Sequence, residues 1–164
     1  MPISSDLYKQ VGRSAAGAVS IIAGYDRTGV NIMALTVSSF VTLSYDPPLA
    51  MFAIQDNADS YTSMVESKAF GVSLLSVEQA DIARRFSLKG RNKAEAFIFD
   101  YGISHKIPLV PNAIAQLECS TDQVFLSGDH AIIVGLIENA KLTEEKPLLY
   151  YARQYGSFVP FTSV

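Results

Sequence analysis

The stretch AVSIIAGYDRTGVNIMALTVSSF (18–40) decides the reading of the fold. It contains two runs, AVSIIAGY (18–25) and NIMALTV (31–37), rich in β-branched and aliphatic residues that suit a pleated, half-buried surface. DRTG between them is a turn signal, so the economical reading is a β-hairpin. Further on, Tyr45-Asp46-Pro47-Pro48 precedes a strand, LAMFAI (49–54), because the prolines forbid regular helix there. AFGVSLL (69–75) reads as a buried strand. In AIAQLEC (113–119), Ala113, Ala115, Leu117 and Cys119 share one face and Gln116 and Glu118 the other, the period of a half-buried strand. VFL (124–126) and AIIVGLI (131–137) read as two more strands around Ser127-Gly128-Asp129-His130, and LLYYA (148–152) as the last. Gly135 inside its strand predicts a bulge or a close backbone approach.

Helices are fewer. SSDLYKQVGR (4–13) reads as a short helix capped by Ser5 or Asp6, with Leu7 and Val11 on one face. Asn57 or Asp59 caps another through about Lys68, with Tyr61, Met64 and Val65 as its apolar stripe. Ser76 and Gln79 match a capping box opening a helix to about Phe86. SLKGRNKAEA (87–96) is polar and reads as a surface loop. Strands joined by short turns outnumber helices, so the expectation is a mainly β chain. It is an antiparallel barrel with two or three peripheral helices, one domain spanning 1–164.

Composition narrows the function. The 164 residues are 49% hydrophobic and 18% charged, which suits a packed core rather than a disordered tail. The net charge is −3 and no basic run reaches four residues, so a nucleic-acid footprint is not expected. The apolar runs are too short to cross a bilayer and the N-terminus has no apolar signal core, which favours the cytoplasm. One cysteine, Cys119, and two histidines, His105 and His130, leave little material for a metal site. Nucleotide-binding glycine motifs, the P-loop, the hydrolase elbow and H-E-x-x-H are not found.

Four segments carry chemistry. Thr36-Val37-Ser38-Ser39-Phe40 sets three hydroxyls in a row at a strand end, able to bond a planar heterocycle or simply their own backbone. Asn57-Ala58-Asp59-Ser60 opens a helix whose N–H groups and dipole attract an anion, with Ser60 adding a hydroxyl; an ordinary cap is the plain alternative. Asp59 argues against an anion unless its side chain points away. Ser127-Gly128-Asp129-His130 is a turn between strands that also presents an imidazole. Arg84-Arg85-Phe86 ends a helix, where the cations complement the dipole or counter a phosphate. His105 reads as a surface residue.

In order, T-V-S-S-F, D-P-P-L-A, N-x-x-S-Y, F-G-V-S-L-L, R-R-F, G-D-H and P-L-L-Y-Y-x-x-x-Y resemble the flavin reductase family of two-component monooxygenase systems. The resemblance runs from about Val11 to Tyr155. It implies an antiparallel split β-barrel of the FMN-binding type and a homodimer. It further implies binding of FMN or FAD, hydride from NADH or NADPH, and reduced flavin supplied to a partner flavin-dependent monooxygenase. In that family the stretch matching Thr36, Val37, Ser38 and Ser39 cradles the isoalloxazine, with the strand end matching Ala53, Ile54 and Gln55 beside it. The position of Ser60 helps hold the phosphate. His130 matches the histidine beside nicotinamide and flavin, the intended catalytic residue. Arg84, Arg85 and Phe86 match the R-R-F helix, and Tyr155 a C-terminal tyrosine bordering the pocket. Two departures stand out: Ala34 occupies a position where many relatives have glycine, and 87–96 differs from the expected D-K-F type segment. A flavin-binding electron carrier or sensor that does not oxidise NAD(P)H efficiently is the alternative within this fold.

Overall fold

Twelve strands and three α-helices organise the chain in a computed structural model that describes residues 1–161, with backbone alone at 91 and 92. In chain order they are α1 (Ser5–Ser14), β1 (Gly17–Ala18), β2 (Ser20–Tyr25), β3 (Ile32–Val37), β4 (Val41–Ser44), β5 (Leu49–Gln55), α2 (Tyr61–Glu66), β6 (Ala69–Leu74), α3 (Ala80–Ser87), β7 (Asp100–Tyr101), β8 (Pro108–Leu109), β9 (Ala115–Ser127), β10 (His130–Leu142), β11 (Leu148–Tyr151) and β12 (Gln154–Ser157).

The expected hairpin forms: β2 and β3 pair from Ser20 opposite Val37 to Tyr25 opposite Ile32. Its turn is stiffened by Asp26, whose carboxylate accepts from the Thr28 N–H at 3.1 Å and from Asn31 Nδ2 at 2.7 Å. Such Asx bonding favours a turn over continued strand. The main sheet is antiparallel throughout, in the order β3-β2-β6-β9-β10-β5-β4. Its two outer strands, β3 and β4, are consecutive in the chain and joined only by Ser38-Ser39-Phe40. The sheet must therefore curl until its edges approach, which also covers edges otherwise open to pairing. Ser39 fastens the approach: its Oγ donates to the Ala53 carbonyl and accepts from the Ala53 N–H, both at 3.0 Å. β1, β11 and β12 form a second small sheet, and β7 pairs with β8.

Both faces of the main sheet are covered. Alternate residues of β2 enter different cores: Ile22 packs with Phe52, Ile54, Phe70 and Ile133, whereas Ile21 packs with Leu75, Phe86, Phe99 and Leu148. A strand buried on both sides reads as a continuous apolar run, which is what AVSIIAGY is. Gly135 meets both expectations. The β9–β10 register shifts at Val134/Gly135, and a Cβ there would lie 2.6 Å from the Phe70 ring. Gly135→Ala should therefore cost about 1–3 kcal/mol through overpacking. Urea unfolding with an unchanged midpoint would show that Phe70 yields freely.

Several boundaries differ from the sequence reading. α1 is capped by Ser4, whose Oγ accepts from the Leu7 N–H at 3.2 Å, not by Ser5 or Asp6. α2 begins at Tyr61, with Ser60 rather than Asn57 or Asp59 at its cap position. AIAQLEC and VFL are one strand, β9, continuous through a register shift. That strand is buried on both faces at its start: Gln116 is 7% and Glu118 3% exposed. The segment after α3 folds over it. Glu118 accepts the N–H groups of Ile103, Ser104 and His105, and Gln116 Nε2 donates to Asp100 and to the Val110 carbonyl. His105 is correspondingly engaged, 2.8 Å from Glu138. LLYYA is followed by one more strand, β12, and β4 adds a short strand after Phe40. The capping box at Ser76 and Gln79 forms as expected, opening a 3-10 turn (Val77–Gln79) that runs into α3.

Candidate functional site

A cleft of about 420 Å³ lies where the sheet edges meet, bounded by β3, β5, the start of α2, the end of α3 and the loop after it. Every residue of the Thr36–Ser39 stretch lines it, and so do Ala53, Ile54, Gln55, Ser60, Phe86 and His130. Residues far apart in the chain converge there because β10 pairs with β5, setting His130 opposite Gln55. Curling of the sheet brings β3 up to β5.

Two of the three hydroxyls shape the walls. Thr36 Oγ1 donates to the Ala83 carbonyl at 2.7 Å, tying β3 to α3, and Ser39 is bonded to β5. Only Ser38 is left exposed. Thr36 and Ser39 therefore serve backbone, but that of distant segments rather than the stretch's own.

Ser60 is different. It is 2% exposed, makes no cap bond, and its Oγ has no hydrogen-bond partner among the described residues. A buried hydroxyl without a partner costs on the order of 1–3 kcal/mol, so it marks a place where a ligand acceptor is expected. Asp59 also lines this cleft, and its Oδ2 is engaged by the Gly90 N–H at 2.6 Å, while a cation stands in the same lining. That cation is Lys93, half-buried, with Nζ 3.3 Å from the Phe86 carbonyl. Burial pushes its pKa down, against the pull of Asp59. An anion in this corner would relieve that desolvation. Lys89 also lines the cleft.

Elsewhere in the lining, His130 Nδ1 lies 2.7 Å from Asp129 Oδ1, and Gln55 Nε2 is 3.4 Å from Asp129 Oδ2. The hydrogen bond with His130 holds the Asp129 carboxyl below its usual range. One carboxylate thus orients both polar side chains of this rim. Gly128, at φ +60°, makes the tight turn that starts β10 at His130.

Three candidate residues do not line the cleft. Arg84 pairs with Asp81 at 2.5 Å and lies 5.4 Å from the Tyr155 ring. Tyr155 stacks near Tyr150, at the border of the outer core. Arg85 donates to the carbonyls of Lys93 and Glu95 and lies over Phe97, so it anchors the loop rather than facing the cleft. Ala34 is buried in the outer core and stands apart from the cleft lining. The sequence reading missed Lys89, Lys93 and Asp129. Lys89 and Lys93 lay in a segment that looked like solvated surface. Only the anchoring by Arg85 and Asp59 turns it into a wall. Cys119 is no nucleophile: burial pushes its thiol up to about 12.

Residues 12–158 match the family described as flavin reductase like domain. The chain is 32% identical over 155 residues to the reductase component of 4-hydroxyphenylacetate 3-monooxygenase of Thermus thermophilus, covering 94% of this chain and 97% of that protein. It is 29% identical to an NADH:riboflavin 5'-phosphate oxidoreductase of Streptomyces pristinaespiralis, covering 90% of this chain and 84% of that one. Among solved structures, the flavin reductase component of a bacterial two-component tryptophan halogenase superposes with a TM-score of 0.83. It is 26% identical and covers 94% of this chain and 98% of that one.

Proposed function

From a chain that belongs to the flavin reductase-like domain family, we propose an NADH-dependent flavin reductase that supplies reduced FMN or FAD to a partner monooxygenase. The observation that carries the reading is the buried, unpartnered Ser60 hydroxyl in the lining of the cleft that Lys93, Thr36–Ser39 and His130 also line. In this reading Ser60 and Lys93 make the phosphate corner and Thr36–Ser39 the side of the slot for the ring.

A bound flavin supplies the hydride-accepting chemistry, so the protein needs position more than acid or base. Thr36 and Ser39 hold β3 against α3 and β5 and keep the slot open. Ser60 and Lys93 would hold the phosphate, and Lys89 adds charge at the mouth. His130, fixed by Asp129, would orient the nicotinamide; it need hold no proton for the hydride step. Phe86 and Ile54 exclude water from the slot. Arg84, Arg85 and Tyr155 have no direct part in this one-chain site, and Arg85 acts by setting the loop that carries Lys93.

The same reading includes a single domain, a homodimer and a cytoplasmic setting. Among the described residues no helix is long and apolar enough to cross a membrane. Support for the dimer lies in α1, which buries no residue and leaves Leu7 at 47% and Val11 at 59% exposure. Val41, Leu43, Phe125 and Leu126 are exposed as well. So much open apolar surface suits an interface. Sedimentation should give twice the chain mass at micromolar concentration; a stable monomer with flavin bound would exclude the dimer.

The deciding experiment mixes the protein anaerobically with flavin and then NADH or NADPH. Bleaching of the flavin colour at catalytic protein concentration supports the reductase. Flavin binding without bleaching by either nucleotide would favour the electron carrier instead.

A further inference from the structure

We propose that the site selects flavin mononucleotide over the dinucleotide, because a strap between Asp59 and Gly90 closes the cleft just beyond the phosphate corner. The proposal rests on the flavin reading above and concerns which flavin that site takes.

Asp59, Ser60 and Lys93 line the cleft and also border a second, much smaller space. That space measures only about 10 Å³ and is otherwise bounded by Met33, Ala34 and Gly90 among others. That is about room for a single water, not for a continuing ligand chain. The closure has a visible cause in the 2.6 Å hydrogen bond from the Gly90 N–H to Asp59 Oδ2. Arg85 holds the loop in place from the other side through the Lys93 carbonyl at 2.7 Å.

Met33 and Asp59 are shared in turn with a roomier hollow of about 540 Å³, lined also by Asp26, Arg27, Asn31, Thr62 and Ser63. Its charges do not suit a second phosphate. Asp26 is held strongly ionised by hydrogen bonds from Thr28 and Asn31, and the Arg27 guanidinium is already paired with Glu66. A terminal phosphate monoester fits the corner itself. It carries about −1.5 to −2 of charge near neutral pH and three acceptor oxygens, against one charge on each phosphate of a pyrophosphate link. The Ser60 hydroxyl and the Lys93 ammonium are the matching donors.

The test is equilibrium titration of the purified protein with riboflavin, FMN and FAD, followed by flavin fluorescence and calorimetry, in the wild type, Asp59→Asn and Asp59→Ala. FMN should bind about tenfold or more tighter than either riboflavin or FAD, which is at least 1.4 kcal/mol. Asp59→Asn keeps an acceptor for the Gly90 N–H and should keep the preference. Asp59→Ala opens the neck, and the FMN-to-FAD ratio should fall toward one. FAD binding as tightly as FMN to the wild type overturns the proposal while leaving the flavin reading intact. So does an unchanged ratio in Asp59→Ala. Binding of none of the three flavins would instead overturn the flavin reading itself.

Discussion

Replacing His130 with alanine should slow flavin reduction by NADH about 100-fold while leaving flavin affinity nearly unchanged, since misplacing a reactant by about 1 Å costs on that order. The imidazole touches neither Ser60 nor Lys93 in any hydrogen bond among the described residues, so its loss leaves both phosphate donors in place. Its backbone pairs with Ser127 and Gln55, and alanine preserves those strand bonds. The side chain is held by one partner, Asp129, at 2.7 Å. Asp129→Ala should therefore produce a smaller loss in the same direction, by freeing both His130 and Gln55. Stopped-flow reduction of the flavin-loaded variants across NADH concentrations makes the decision. If His130 merely closes the turn, His130→Ala lowers the melting temperature while the limiting rate and the NADH dependence stay those of the wild type.

Ser60→Ala should weaken flavin binding by about tenfold to 100-fold, as expected for a hydrogen bond to a charged group worth about 1.5–3 kcal/mol. The free protein should not lose stability, because the hydroxyl has no partner to lose and makes no cap bond for α2. Removing a buried, unpaired hydroxyl relieves desolvation instead. The variant therefore separates two roles cleanly. A ligand donor loses affinity and keeps or gains stability, whereas a structural cap loses stability and keeps affinity. Riboflavin supplies the internal control. Without a phosphate it should bind the wild type and Ser60→Ala equally, and a parallel loss for riboflavin would place Ser60 against the ring instead.

Much of the site was legible in the sequence because it is built from local patterns. A hairpin with an Asx turn, a strand after two prolines, a capping box and a Gly-Asp turn each act within a few residues. The resemblance carried by the ordered series from T-V-S-S-F to G-D-H pointed to residues that line the cleft, Arg84 and Arg85 excepted. Ser60 was visible as a helix-start residue. Its lack of any partner was not, because that depends on what packs around it. Lys93 was hidden by its setting: in 87–96 polar residues look solvated until Arg85 and Asp59 draw the loop against α2 and α3. The half-buried reading of Gln116 and Glu118 failed for a related reason. The segment around 100–110 satisfies their polar groups with backbone N–H and carbonyl partners, so alternation no longer reports exposure.

By itself the sequence determined the long strands of the main sheet, though not β4, β7, β8 or β12, the main turns, and a bulge or close approach at Gly135, since these follow from short-range sterics and periodicity. Only the tertiary structure decided the rest. It spent the Thr36 and Ser39 hydroxyls on the walls, kept Arg84 and Tyr155 outside the cleft lining, and bound Asp59 to Gly90. Those outcomes depend on contacts between residues distant in the chain, such as Ser39 with Ala53 and Asp59 with Gly90. A one-dimensional pattern carries no information about which donor reaches which acceptor until the sheet has curled.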